Sequence, residues 1–313
     1  MESLLVATNV VFPLIVFIAI GYLANSAKWI SVDSFSQMNK LVFNVLLPCV
    51  LFESVYTVSV SEIVNPQLLL FGALSIFAVF LAGIPVSGAL TREPAKRGVV
   101  LQGIFRSNFV LYGFPIVQSM YARERLGAVT ILIAVIVPLF NVLAVLSLEM
   151  FSSGKVSAAK IAMNIIKNPL IIGTVAGIVL SSVGFDIPNV MRRSLSGITA
   201  AATPVALIVL GGTFQRQTVG ENKKLLSALV LIKLLIVPAI FLGIAVPLGF
   251  RDMELLALVA LFGSPVAVSS FTMAKQMSGD DELAGQNLLF TTVFSIFTIF
   301  MWVSLLNNFA LIT

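Results

Sequence analysis

Apolar runs of about 20 residues follow one another along the chain, separated by short polar connections. Ten such runs can be placed, at roughly 5–25, 35–56, 67–89, 97–121, 127–150, 161–184, 190–214, 224–249, 253–277 and 284–308. Each is long enough for a helix to cross a bilayer, so the pattern predicts an all-α polytopic membrane protein with ten transmembrane helices. The opening run, MESLLVATNVVFPLIVFIAIGYLA, has no basic stretch ahead of it and no small-residue cleavage site. It reads as a first span rather than a removable signal peptide. The longest connections, TREPAKRG, SSGKVSAAK and QRQTVGENKK, are short, basic and turn-forming, and leave no room for a soluble domain.

The runs repeat. FPLIVFIAIGYL from Phe12 resembles NPLIIGTVAGIVL from Asn168: Pro13 and Pro169 are 156 apart, as are Gly21 and Gly177, and Pro48 and Pro204. LYGFP at Leu111 matches LFGSP at Leu261, with Gly113 and Gly263, and Pro115 and Pro265, each 150 apart. The unit holds five spans, 1–152 and then 159–313. Five is odd, so the second copy enters the membrane inverted. Inverted repeats with interrupted helices at matched positions are the sequence pointer to a secondary transporter.

Spans 4 and 9 carry the interruptions. Proline inside a helix removes a hydrogen bond and clashes with the preceding turn, at a cost of roughly 3 kcal/mol, and hydrocarbon offers no water to the freed groups. Each break is expected to start a new half-helix at Pro115 or Pro265, where a missing N–H does no harm. The two half-helix N-termini, each with unpaired N–H groups and about half a positive charge, would form an anion site near the midplane. Candidate substrate-binding residues are Asn108, Gly113, Pro115, Ser264, Pro265 and Ser269, with Ser107, Gln118, Ser119, Ser270 and Thr272 nearby.

Charged positions within spans are hypotheses of function. Lys233 lies about ten residues, or roughly 15 Å, into span 8, and Arg106 precedes Pro115 on the cytoplasmic side; both are candidates for tuning an anion site. Lys40, Lys167 and Lys275 lie nearer span ends, where snorkelling explains them. The acids Glu53 and Glu149 read as structural. Cations in excess of acids at depth favour an anionic substrate over a sodium-binding cage.

Composition sharpens this. The chain has 313 residues, 58% hydrophobic and only 11% charged, against about 25% charged in soluble domains. Its net charge of +5 sits in loops at the membrane surface, which speaks for membrane lipid rather than nucleic acid as the contact. With no histidine and one cysteine, Cys49, histidine catalysis, a disulfide framework and a Cys/His metal cluster are excluded, and no cofactor is expected. The connections after odd-numbered spans hold Lys28, Arg92, Lys96, Arg97, Lys155, Lys160, Arg216, Lys223 and Lys224. Those after even-numbered spans hold only Arg123, Arg125, Arg192, Arg193 and Arg251. The positive-inside rule then puts both termini outside.

Six stretches also carry a family resemblance: MNKLVFNVLLPCVLF, RSNFVLYGFPI and FNVLAVLSLE in the first half, and KNPLIIGTVAGIVL, TPVALIVLGGTF and GSPVAVSSFTMAKQM in the second. Together, in this order, they resemble the auxin efflux carrier family, which includes bacterial malate and malonate permeases and plant auxin exporters. The resemblance covers the whole chain. It implies a scaffold domain of spans 1, 2, 6 and 7 beside a transport domain of spans 3–5 and 8–10. It also implies that spans 4 and 9 cross as broken helices at the substrate site, with elevator-type movement of that site. Asn108 matches a family asparagine that contacts the substrate carboxylate, and Pro115 and Pro265 match the crossover prolines. Lys40 matches a basic position of span 2, with no role carried across. Family members are often dimers, so a homodimer is an expectation. The long central loop of the plant exporters is reduced here to SSGKVSAAK, which resembles the prokaryotic members and a bacterial inner-membrane location.

The functional expectation is a secondary carrier of small organic anions, carboxylates such as malate or malonate or auxin-like monocarboxylates. A sodium-coupled organic-anion symporter of a related crossed-helix fold is the alternative within transport. A membrane-embedded enzyme lacks the usual catalytic groups at depth, and a ligand sensor would bind without flux.

Overall fold

The computed structural model describes residues 2–57, 66–110, 117, 127–151, 158–214 and 218–312. These form helices α1 (Glu2–Ser26), α2 (Val32–Leu41), α3 (Leu47–Tyr56), α4 (Pro66–Leu90), α5 (Pro94–Phe105), α6 (Gly127–Met150) and α7 (Ala158–Lys167). The second half adds α8 (Pro169–Ser182), α9 (Asn189–Thr213), α10 (Val219–Leu231), α11 (Val237–Ala245), α12 (Asp252–Gly263), α13 (Val268–Gln276) and α14 (Asp281–Asn308). Among the described residues seven helical segments are long and apolar enough to cross a membrane, or eight if α7 and α8 count as one span bent by 60°. The chain is therefore a multi-pass membrane protein. α1 is itself 25 residues long and lies over the first predicted run, while the fourth run stops being helical at Phe105, where α5 ends.

Local sequence explains the helix ends. Ser31, Asn168 and Asp280 cap α2, α8 and α14 by accepting from the backbone N–H of Ser34, Leu170 and Leu283 at 3.2, 2.9 and 2.8 Å. The repeat-matched prolines behave differently from one another: Pro13 lies inside α1, whereas Pro169 opens α8 just after the Asn168 cap. One π-turn, Val42–Leu46, joins α2 to α3 ahead of Pro48, and another, Ile232–Ile236, joins α10 to α11 ahead of Pro238. Proline frees the carbonyl four residues earlier, and for Pro238 that carbonyl, Leu234 C=O, accepts from Trp302 Nε1–H at 2.9 Å.

Glycine lets two helix pairs approach backbone to backbone. A Cβ at Gly21 of α1 would lie 1.9 Å from the Ile208 carbonyl oxygen of α9, and one at Gly211 of α9 would lie 1.9 Å from the Ile18 oxygen of α1. Gly173 and Gly177 of α8 press in the same way on Pro48 and Phe52 of α3. Small residues at such crossings are what membrane helices use in place of a hydrophobic driving force. The other helices gather round α12 and α13: the segment Asp252–Gln276 is 94% buried, against 33% for α4 and for α14.

Candidate functional site

The site begins where two helices stop. α5 ends at Phe105, and Arg106 turns extended at φ −80°, ψ 134° while its N–H still donates to Gln102 C=O at 2.9 Å. α12 ends at Gly263, and Ser264, ahead of Pro265, is extended at φ −67°, ψ 151°, as a residue preceding proline prefers. α13 starts only at Val268, with Ala267 extended before it. This corrects the expectation that Pro265 is the first residue of the second half-helix: Pro265, Val266 and Ala267 all precede it, and Pro265 serves through its carbonyl. That carbonyl accepts from the Asn108 N–H at 2.8 Å, so the stretches after α5 and after α12 are joined by a backbone hydrogen bond. Val266 N–H donates to Thr291 Oγ1 of α14 at 3.3 Å. Buried backbone groups set free by the interruptions are thus partly repaired across the bundle.

Arg106 is 3% exposed. Its guanidinium donates to Asn141 Oδ1 and to Ser269 Oγ at 2.8 Å each, and to Met273 Sδ at 2.7 Å. Every one of those partners is neutral, and no carboxylate lies within ion-pair distance among the described residues. A buried cation without a counter-ion is costly, which makes its surroundings hospitable to an anion. Ser107 Oγ and Asn108 Nδ2 are buried beside it with no hydrogen-bond partner among the described residues.

These groups line a cavity of about 500 Å³, within the range of small-molecule sites. One wall is Arg106 to Val110, Asn141 of α6, and Ala267, Val268 and Ser269 at the start of α13. Ala267 supplies no side-chain cap there, so the first N–H groups of α13 add positive potential. The other wall comes from α3 and α9 and carries Glu53, Ser54, Thr57, Ser196, Thr199 and Thr203.

Of the residues expected from sequence, Arg106, Asn108 and Ser269 meet in this cavity. Ser264 instead turns back on its own helix, donating to Ala260 C=O at 2.5 Å, and neither it nor Pro265 lines the cavity. Lys233 lies apart: it is 1% exposed within the Ile232–Ile236 π-turn, which packs against α5, α12 and α14. Gly113, Pro115, Gln118 and Ser119 lie outside the described residues. Lys40 and Lys167 are exposed, and Lys275 pairs with Asp281 at 2.5 Å. Two residues escaped the sequence reading. Asn141 sits in an apolar run with nothing to separate it from a structural amide. Glu53 lies near a span end, where position alone suggests a structural role, yet it reaches the cavity wall.

Comparison with known proteins points to one family. The model of the membrane transport protein family matches residues 6–303. An "Uncharacterized transporter" of Methanothermobacter thermautotrophicus is 24% identical over 306 residues, covering 95% of this chain and 97% of the relative. A "Putative malonate transporter" of Rhizobium meliloti is 24% identical over 302 residues, covering 93% of each. A family match over nearly the whole chain, on a multi-pass helical bundle with a cavity beside a buried arginine, has a plain consequence: the chain belongs to the membrane transport proteins of the auxin efflux carrier family.

Proposed function

We propose that this protein is a secondary carrier of small organic anions, with carboxylates the substrate class, and that the cavity beside Arg106 is its binding site. The observation that carries the reading is Arg106 itself: a buried guanidinium held by neutral partners that lines a cavity together with Asn108, whose Nδ2 has no partner among the described residues. The substrate carboxylate completes the site by accepting from Arg106, Ser107 and Asn108 and by resting against the first turn of α13.

The transport cycle in this reading is of the elevator type. Spans 4 and 9 cross as broken helices, and the Asn108–Pro265 hydrogen bond is their point of contact. The moving part is spans 3–5 and 8–10; the scaffold is spans 1, 2, 6 and 7. Two glycine contacts support an inverted repeat of five and five spans. Gly21 abuts Ile208, and Gly177 abuts Phe52; both 177 − 21 and 208 − 52 equal 156, so one contact is the other with the copies exchanged. The loop charges favour both termini outside a bacterial inner membrane.

A panel of mono-, di- and aromatic carboxylates, with amines and sugars as controls, tests the reading on the purified protein. A ligand at a hundred times its dissociation constant stabilises the native state by about 2.7 kcal/mol, readily seen as a rise in melting temperature. The expected result is stabilisation by carboxylates alone and uptake of the same compounds into proteoliposomes. Binding without flux would make the protein a sensor, and stabilisation by amines or sugars alone would overturn the anion site.

A further inference from the structure

We propose that the cavity selects a carboxylate with a hydrogen-bond donor at its far end, and that Glu53 is the residue that turns dianions away. The inference rests on the anion-carrier reading above and narrows its substrate class. Two charged side chains line the cavity among the described residues, Arg106 on the wall of α5 and α13 and Glu53 on the wall of α3 and α9. They are not paired with each other, nor with any other charged group among the described residues.

Glu53 is held in place. Its Oε2 accepts from Thr199 Oγ1 at 2.5 Å, while Oε1 receives no hydrogen bond among the described residues. The helices beside it contribute hydroxyls at Ser54, Thr57, Ser196 and Thr203. That wall is therefore rich in acceptors and carries a negative charge, whereas the Arg106 wall is rich in donors. A ligand complementary to both places a carboxylate on Arg106 and Asn108 and a hydroxyl or ammonium group toward Glu53 Oε1. A dicarboxylate of the same length satisfies Arg106 equally well but brings its second charge against Glu53. Like charges in a partly desolvated site repel far more strongly than in water, and an anion beside a fixed carboxylate is disfavoured in the same way as two carboxylates sharing a site.

Three probes of equal chain length separate the possibilities: γ-hydroxybutyrate, γ-aminobutyrate and succinate, titrated against the full-length protein at neutral pH with melting temperature as the readout. The wild type should bind the first two at least roughly tenfold more tightly than succinate. Glu53→Gln, which keeps an acceptor for Thr199, should tighten succinate binding by about tenfold and close that gap. Glu53→Asp, which keeps the charge, should preserve the wild-type order and serves as the informative variant if Glu53→Gln fails to fold. Succinate binding at parity with the other two in the wild type, or an unchanged ratio in Glu53→Gln, overturns the inference while leaving the carrier reading intact. Failure of every carboxylate, these three and the wider panel alike, overturns both.

Discussion

Where α1 crosses α9 the contact is backbone on backbone, and a single added methyl at Gly21 or Gly211 would collide with a carbonyl oxygen. Where α5 and α13 meet, the contact is made by side chains and by ends of helices: Arg106 reaches Ser269 and Met273, and Asn108 N–H reaches Pro265 C=O. The first region is dense and is built on helix backbones pressed directly together. The second leaves a cavity of about 500 Å³ lined in part by Ser107 and Asn108, whose buried Oγ and Nδ2 have no hydrogen-bond partner among the described residues. Interiors are close-packed and settle into discrete arrangements rather than deforming continuously. A rigid glycine seam next to a loosely satisfied polar pocket is thus a division of labour between holding a fixed frame and holding an exchangeable ligand.

The sharpest way to break that comparison is Gly211→Ala. The added Cβ would sit 1.9 Å from the Ile18 oxygen and 3.0 Å from the Tyr22 nitrogen, and backbone cannot rotate aside as a side chain can. The loss should reach or exceed the about 1–3 kcal/mol usual for overpacking, read as a fall in melting temperature in detergent. Gly197→Ala in the same helix is the internal control. Among the described residues nothing lies within 4 Å of its added methyl, so helix propensity alone should stabilise by about 0.5–1 kcal/mol where the helix is unstrained. If both variants shift stability alike, the seam is not what holds α1 to α9.

In the pocket the effects should fall on ligand binding. Arg106→Gln removes charge-assisted hydrogen bonds worth about 1.5–3 kcal/mol, and carboxylate affinity should drop by roughly 10- to 100-fold. Because Arg106 has no counter-ion among the described residues, its removal should cost the fold little; a melting temperature that collapses without ligand would mark Arg106 as structural instead. Asn108→Ala should have the smaller effect, about 1 kcal/mol or some fivefold in affinity. Its backbone N–H, which makes the bond to Pro265, is untouched by the change. Unchanged affinity would remove the Asn108 side chain from the site.

Much of this was legible in the chain. The apolar runs, the 156-residue spacing of Gly21 with Gly177, and the pairing of a Ser-Pro step with extended backbone are local features, set by hydrocarbon thickness and by proline's missing donor. Asn108 and Ser269 stand out in the sequence because each lies near such a break, and Arg106 and Lys233 because each is a charge within an apolar run. Lys233 packs away from the cavity, since depth along a span does not specify which face of the helix a residue takes.

Length, hydropathy and proline act within a few residues of where they stand, and from them alone follow a multi-pass helical membrane protein, prolines within its apolar runs and cations in excess of acids along them. That Asn108 hydrogen-bonds Pro265, that Asn141, Ser269 and Met273 hold Arg106, and that Glu53 faces the same cavity from another wall follows only from how the helices are assembled. These contacts join residues 35 to 167 positions apart in the chain. Their geometry is fixed by how the helices cross, and no local propensity encodes a crossing.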